Sequence, residues 1–262
     1  MKLAVNGIEI DVKDQGEGAL ALVFLHYWGG SSRTWDAVIA ALPTRYRKVA
    51  ADLRGWGESD APAFGYALAD FADDVQQMIA ALGLREYVLV GHSMGGKIAQ
   101  VLASRRPAGL IGLALVAPAT PTPLALPPDA RAGMKAAYLS RESIGGALDH
   151  MLTAKPLTEA QREQVIADSL RGAPQARDAW PNATSLEDIS HLVGAINVPV
   201  TVIAGELDRV DTVDILKAEL LSRISQAKMK VLPGTGHLSP LESPAEVAAT
   251  IAEFVQSLPV KA

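Results

Sequence analysis

Gly91-His92-Ser93-Met94-Gly95-Gly96 stands directly between an apolar run at 87–90 and a helix-forming stretch at 97–104. A serine with glycines two positions away on each side, at a strand-to-helix junction, requires a sharp turn with its side chain at the apex. Such a turn holds the serine in strained backbone geometry, and only glycine lets strand and helix approach so closely. The hydroxyl then projects at a helix N-terminus, where free N–H groups and the positive end of the helix dipole favour developing negative charge. The segment therefore commits the chain to a β-turn-α unit in a parallel sheet and marks Ser93 as a candidate nucleophile.

The rest of the chain repeats that grammar. Apolar runs at 21–25, 47–51, 87–90, 112–117, 200–204 and 229–232 alternate with helical patterns, as expected of a parallel α/β sheet. Asn6-Gly7 joins two short strands, 3–5 and 8–12, as a hairpin at the start. Phe71, Val75, Met78, Ile79 and Leu82 recur at helical spacing, with Gly83 as the left-handed stop. Ser243-Pro244-Ala245-Glu246 reads as a capping box opening a helix through Val255.

The alternation breaks once. Pro118, Pro121, Pro123, Pro127 and Pro128 interrupt it, and helical patterns at 131–139, 144–152 and 158–170 follow, the last opened by a Thr158-x-x-Gln161 capping box. The division expected is a core of residues 1–119 and 191–262 with a helical lid, 120–190, inserted between two strands.

Composition excludes other classes. The chain has 262 residues, a net charge of −5 and no cysteine. Without a Lys/Arg cluster it is not built to neutralise nucleic-acid phosphates, and without cysteine it has no disulfide, thiolate metal site or thiol nucleophile. The opening residues lack a signal-type apolar core, and the run 19–24 is too short to span a bilayer. The expectation is a cytoplasmic protein without a membrane partner, acting on a small molecule, with no metal and no cofactor.

A serine hydroxyl is a poor nucleophile near neutral pH and needs a base, itself oriented by a carboxylate. Of the histidines beyond Ser93, His237 follows the run 229–232 and the flexible loop Pro233-Gly234-Thr235-Gly236, and is the candidate base. His150 and His191 read as ordinary surface or lid residues. The acid is expected after the run 200–204, where Asp208 is the first candidate and Glu206 and Asp211 remain alternatives. His26 reads as a loop-organising histidine and Lys97 as a partly exposed helix residue.

Taken together, several ordered motifs resemble the α/β-hydrolase superfamily over essentially the full length. They are His26-Tyr27-Trp28-Gly29-Gly30, the stretch from Asp52 to Asp60, the Ser93 turn, Gly205-x-x-Asp208 and Gly234-x-Gly236-His237. Within it the chain looks most like small cofactor-free carboxylesterases and their relatives, the cofactor-free haloperoxidases, lactonases and carbon–carbon bond hydrolases. The resemblance implies an oxyanion hole from the backbone N–H of Met94 and that of Trp28. Tyr27 stands where the family pattern has glycine, which makes Tyr27 a possible substitute donor. Arg54 and Trp56 belong to a stretch that in this family is a structural turn tying neighbouring loops. A serine rather than an aspartate at the turn disfavours dehalogenase and epoxide-hydrolase chemistry.

The expected activity is hydrolysis of a carboxylic ester or lactone through an acyl-enzyme on Ser93, with His237 as general base and Asp208 as orienting acid. A diketone-cleaving carbon–carbon hydrolase and a small-molecule receptor on the same fold are the alternatives. Trp28, Met134, Tyr138, Leu139, Met151 and Trp180 are expected to line the substrate pocket.

Overall fold

A computed structural model describes residues 1–259. Eight strands form one sheet in the order β1-β2-β4-β3-β5-β6-β7-β8: β1 (Lys2–Val5), β2 (Ile8–Gln15), β3 (Leu20–Leu25), β4 (Arg47–Ala51), β5 (Glu86–His92), β6 (Leu110–Val116), β7 (Val200–Gly205) and β8 (Ala227–Leu232). The first two strands run antiparallel to their neighbours and the others are parallel. Asn6 and Gly7 both take positive φ, 46° and 78°, as a tight two-residue hairpin requires.

The helices are α1 (Asp36–Ala41), α2 (Leu68–Ala81), α3 (Met94–Ser104), α4 (Pro128–Ala136), α5 (Arg141–Ala147), α6 (Glu159–Arg171), α7 (Pro174–Asn182), α8 (Ser190–Val193), α9 (Val213–Leu216), α10 (Ser239–Glu242) and α11 (Pro244–Ser257). The central strands bury both faces, whereas β1, β2 and β8 leave one face partly open. In β3, Leu22 and Phe24 join the core under α1 and α11, while Val23 and Leu25 join the core under α2 and α3. The same alternation in β5 sends Val88 and Val90 one way and Tyr87 and Leu89 the other. Each fully buried aliphatic side chain stabilises the fold by about 1.5–3 kcal/mol, which is why such uninterrupted apolar runs sit in the middle of the sheet.

Helices α4 to α8 lie between β6 and β7, where the alternation breaks in the sequence. Details differ from the sequence pattern. Pro128 does not delay the first helix but opens it at its first turn, where a missing N–H costs nothing, so α4 spans 128–136 rather than 131–139. The pattern at 144–152 divides into α5 and a wider π-helical turn, Leu148–Leu152. Helix α7, which contains Pro181, has no counterpart in the sequence reading. The Thr158 capping box forms, Thr158 Oγ1 accepting from Gln161 N at 3.3 Å while Gln161 Oε1 accepts from Thr158 N at 2.9 Å.

The Ser243 capping box does not form. Ser243 Oγ is instead paired with Thr235 Oγ1 at 2.8 Å and accepts from Lys155 Nζ at 2.7 Å, so a long-range network takes the hydroxyl from the helix end. Among the described residues no helix is long and apolar enough to cross a membrane.

The connection β3–β4 runs to one side of β3 and β5 lies on the other. Loops at the carboxyl ends of β3 and β5 therefore part from each other and open a crevice, the usual binding site of an open α/β sheet.

Candidate active site

Ser93 follows β5 at φ 50° and ψ −114°, a backbone state that side-chain-bearing residues rarely adopt. The glycines explain how the turn is tolerated. A Cβ on Gly91 would lie 2.4 Å from the carbonyl oxygen of Gly95, and one on Gly95 would lie 2.5 Å from that of Leu25. A Cβ on Gly96 would lie 2.7 Å from Pro118. The strand, the helix and the loop after β3 thus meet at distances that exclude any other residue. The Ser93 hydroxyl caps no helix N–H and faces a cavity.

The loop Gly205-Glu206-Leu207-Asp208 carries a carboxylate from the end of β7 to the loop after β8. Asp208 Oδ2 accepts from His237 Nδ1 at 2.9 Å, and both side chains are buried. Asp208 Oδ1 accepts from the N–H groups of Val210, at 2.7 Å, and Asp211, at 3.1 Å, so the carboxylate is fixed on both oxygens. Glu206 accepts from Gly234 N at 2.7 Å and supports the histidine loop from outside. The histidine therefore meets Asp208 and not Glu206 or Asp211. With Nδ1 donating to Asp208, Nε2 carries the lone pair. Burial disfavours a charged His237 ring, but Asp208, by charge and hydrogen bond, with Asp211 and Glu242 behind it, raises its pKa above the usual imidazole value.

Two residues that the sequence reading did not single out hold His237. His92, the residue before Ser93, donates from Nε2 to the His237 carbonyl at 2.9 Å. Burial and the neighbouring His237 depress the His92 pKa far below the usual value, so it is a neutral donor. Glu242 Oε2 accepts from Gly236 N at 3.0 Å, and also from Ala154 N at 2.8 Å and Lys155 N at 2.9 Å. The second position of the Ser93 turn was the one available sequence signal for His92; nothing local marks Glu242.

The loop after β3 is pinned through its carbonyls. His26 Nδ1 donates to the Tyr27 carbonyl at 2.7 Å and its Nε2 accepts from Leu53 N at 3.0 Å, the arrangement of a loop organiser. The Trp28 carbonyl accepts from Tyr138 Oη at 3.2 Å and the Gly29 carbonyl from Ser169 Oγ at 2.9 Å. The Tyr27 side chain packs against His92, ring centres 5.1 Å apart, and reaches the cavity wall. Met94 opens α3 directly after Ser93.

Arg54 and Asp52 are buried connectors. Arg54 pairs with Asp74, and Asp52 accepts from Ser32 N at 2.6 Å and Glu58 N at 2.8 Å. Trp56 is fully buried beside His26. His150 and His191 are exposed, and neither lines the cavity at Ser93.

A cavity of about 570 Å³, walled mostly by apolar side chains, joins Ser93 and His237 to Tyr27, Trp28, Met134, Tyr138, Met151 and Trp180. Leu139 does not belong to it: its side chain is 70% exposed, because α4 ends before it and the chain turns outward. Lys97 also departs from its expected position. It is 1% exposed, since the segments around Thr122 and Ser185 close over α3 and their carbonyls accept from Nζ at 3.0 and 3.4 Å. Burial lowers its pKa to about 8. Among the described residues no group of three or more His, Asp or Glu side chains could hold a metal ion.

Residues 22–250 match the model of the alpha/beta hydrolase family. A non-heme haloperoxidase of Rhodococcus erythropolis is 28% identical over 97% of this chain and 98% of its own. A 2-succinyl-6-hydroxy-2,4-cyclohexadiene-1-carboxylate synthase of Enterobacter sp. (strain 638) is 33% identical over 90% and 91%. Among solved structures, an esterase from Exiguobacterium antarcticum superposes with a TM-score of 0.89 at 25% identity, over 97% of this chain and 98% of that one. Est816, described as an N-acyl homoserine lactone degrading enzyme, gives 0.82 at 29% over 97% and 100%. A strained serine between a strand and a helix, a buried Asp–His pair beside it, and a family match over most of the length agree: the chain belongs to the alpha/beta hydrolase family.

Proposed function

We propose that the protein hydrolyses carboxylic esters, lactones among them, through an acyl-enzyme on Ser93. The observation that carries this reading is the Asp208–His237 hydrogen bond at 2.9 Å on the wall of the cavity that exposes the Ser93 hydroxyl. Ser93 Oγ attacks the carbonyl carbon while its proton passes to His237 Nε2; the carbonyl π pair moves onto oxygen. The resulting oxyanion is held by the backbone N–H groups of Met94 and of the loop after β3, at Trp28 or Tyr27, each contributing about 3 kcal/mol of barrier lowering. Collapse expels the alcohol oxygen, which takes the proton from His237. Water then repeats the sequence on the acyl-enzyme and frees the acid and Ser93.

Asp208 keeps the ring in the tautomer that leaves Nε2 free and stabilises the imidazolium formed on attack. The helices of residues 120–190 act as a lid, and the apolar wall from Trp28, Met134, Tyr138, Met151 and Trp180 suits hydrophobic ester groups. The esterase and lactonase among the similar structures favour the same chemistry. A cytoplasmic setting and a small-molecule partner complete the proposal.

The test is release of p-nitrophenol from acetate, butyrate and octanoate esters by wild type and Ser93→Ala. Loss of about 10⁵-fold or more in the variant is expected. Negligible wild-type turnover, or activity that survives the substitution, refutes the reading and directs attention to diketone substrates.

A further inference from the structure

A second, smaller chamber of about 40 Å³ opens beside Ser93, on the α3 side and away from His237. Its walls include the apolar side chains of Leu124, Met134 and Trp180, but two charged groups also face it, Lys97 and Asp211. Asp211 is only 4% exposed. Its neighbour in the loop, Asp208, accepts three hydrogen bonds, whereas the Asp211 carboxylate accepts none from the protein among the described residues. Lys97 spends two of its three N–H groups on the carbonyls of Thr122 and Ser185, and no ion pair within 4.0 Å joins it to Asp211. A buried carboxylate without a donor is costly, and native proteins almost always supply one.

We propose that this chamber binds a hydroxyl group on the acyl part of the substrate, so that the preferred esters are those of short hydroxy acids. The hydroxyl donates to Asp211, and its oxygen faces Lys97. The inference rests on the esterase reading of Ser93.

Three features select this ligand. An anionic acyl group is opposed by Asp211 and a cationic one by Lys97, so a neutral group that both donates and accepts fits the pair. Burial supports the same choice, drawing the Asp211 pKa up to about 7 and that of Lys97 down to about 8, which softens both charges near neutral pH. Size limits the group, because about 40 Å³ holds roughly two or three non-hydrogen atoms. The assignment to the acyl side follows from proton transfer. The leaving oxygen must meet His237, which lines the large cavity and not the small one, so the alcohol occupies the large cavity and the acyl chain turns toward Lys97 and Asp211.

The experiment compares kcat/KM for benzyl esters in matched pairs, butyrate against 3-hydroxybutyrate and propionate against lactate, with β-alanine and succinate monoesters as charged counterparts. Wild type is expected to prefer at least one hydroxy ester over its deoxy partner by about 10-fold or more, the effect of one hydrogen bond to a charged acceptor. Asp211→Leu should reverse that preference, and Asp211→Asn, which keeps the shape and an acceptor, should retain part of it. A ratio near one for both pairs in wild type, a preference for a charged ester, or a ratio unmoved by Asp211→Leu overturns the proposal. If Asp211→Leu does not fold, the wild-type ratio and Asp211→Asn still decide. Hydrolysis of all the esters without a hydroxy preference sinks this inference alone; no hydrolysis of any ester, or hydrolysis surviving Ser93→Ala, sinks the esterase reading and this one with it.

Discussion

Replacing Ser93 by glycine should make the protein more stable than replacing it by alanine, although neither variant can form an acyl-enzyme. Ser93 is held at φ 50° and ψ −114°. For a residue with a Cβ, such a conformation costs about 1–3 kcal/mol, and alanine bears that cost as fully as serine. Glycine escapes it but brings a more flexible unfolded chain, worth about 0.5–1 kcal/mol against it. The hydroxyl itself is common to neither variant, so it cancels. The difference left spans about 0–2.5 kcal/mol in favour of glycine, with about 1 kcal/mol at the centre of both ranges, or a Tm about 2 °C higher in a chain of this size. Calorimetry on the two variants, checked by urea unfolding with unchanged m-values, measures it. A Ser93→Ala protein more stable than Ser93→Gly by about 0.5–1 kcal/mol, glycine's entropy cost alone, would mean that the turn carries no strain and that the glycines around it serve another purpose.

Two further outcomes follow from buried charge. The base must be neutral to accept the Ser93 proton, and the carboxylates around His237 favour its protonated form, so kcat/KM should rise with pH through a midpoint above 6.5 and fall below about a quarter of its plateau at pH 6. Asp211, half-protonated near pH 7, carries only part of a negative charge in that range, so Asp211→Asn should move the midpoint down by a small amount; a midpoint at or below 6.5 in wild type, or an upward move in the variant, contradicts the electrostatic argument. The Arg54–Asp74 pair is buried at both ends, and Asp74 also accepts from Asn6 Nδ2 at 3.1 Å, so Asp74→Ala strands a guanidinium and should cost about 3–5 kcal/mol in urea unfolding. Arg54→Met added to Asp74→Ala should recover part of that loss, and a single-variant cost below about 1 kcal/mol would show that the pair is not needed.

What could be read in the sequence was whatever local geometry dictates. The glycines around Ser93, the Asn6-Gly7 turn and Gly83 at φ 62° each state a backbone requirement that no distant residue can alter. The central strands were legible because burial on both faces leaves long apolar runs in them, such as Leu20–Leu25 and the run at 87–90. Residues whose partners lie far along the chain were not legible. Ser243 has a helix-capping sequence, yet Thr235 and Lys155 take its hydroxyl. Lys97 sits on an amphipathic helix as a polar residue should, but the segments around 122 and 185 cover it. His92 reaches the carbonyl of a residue 145 positions away. Spacing within a motif carries no information of that kind.

The attachment of the inserted helices determines which part of the entrance can be altered without disturbing the chemistry. Helix α6 is bolted to the loop after β3, Asp168 accepting from Ser31 Oγ at 2.9 Å and from Arg33, and Glu242 clasps the backbone at 154–155 together with Gly236. Those segments are part of the frame that aims His237 and the Trp28 loop. Helix α4 is different: it buries none of its residues, and Arg131 ties it to the carbonyls of Leu124 and Pro181, within the insertion itself. It hangs from the insertion rather than from that frame. Exchanging α4 for other sequences should retune which molecules are admitted while the reaction geometry stays as it is, which makes this one helix the natural place for the protein to acquire new substrates.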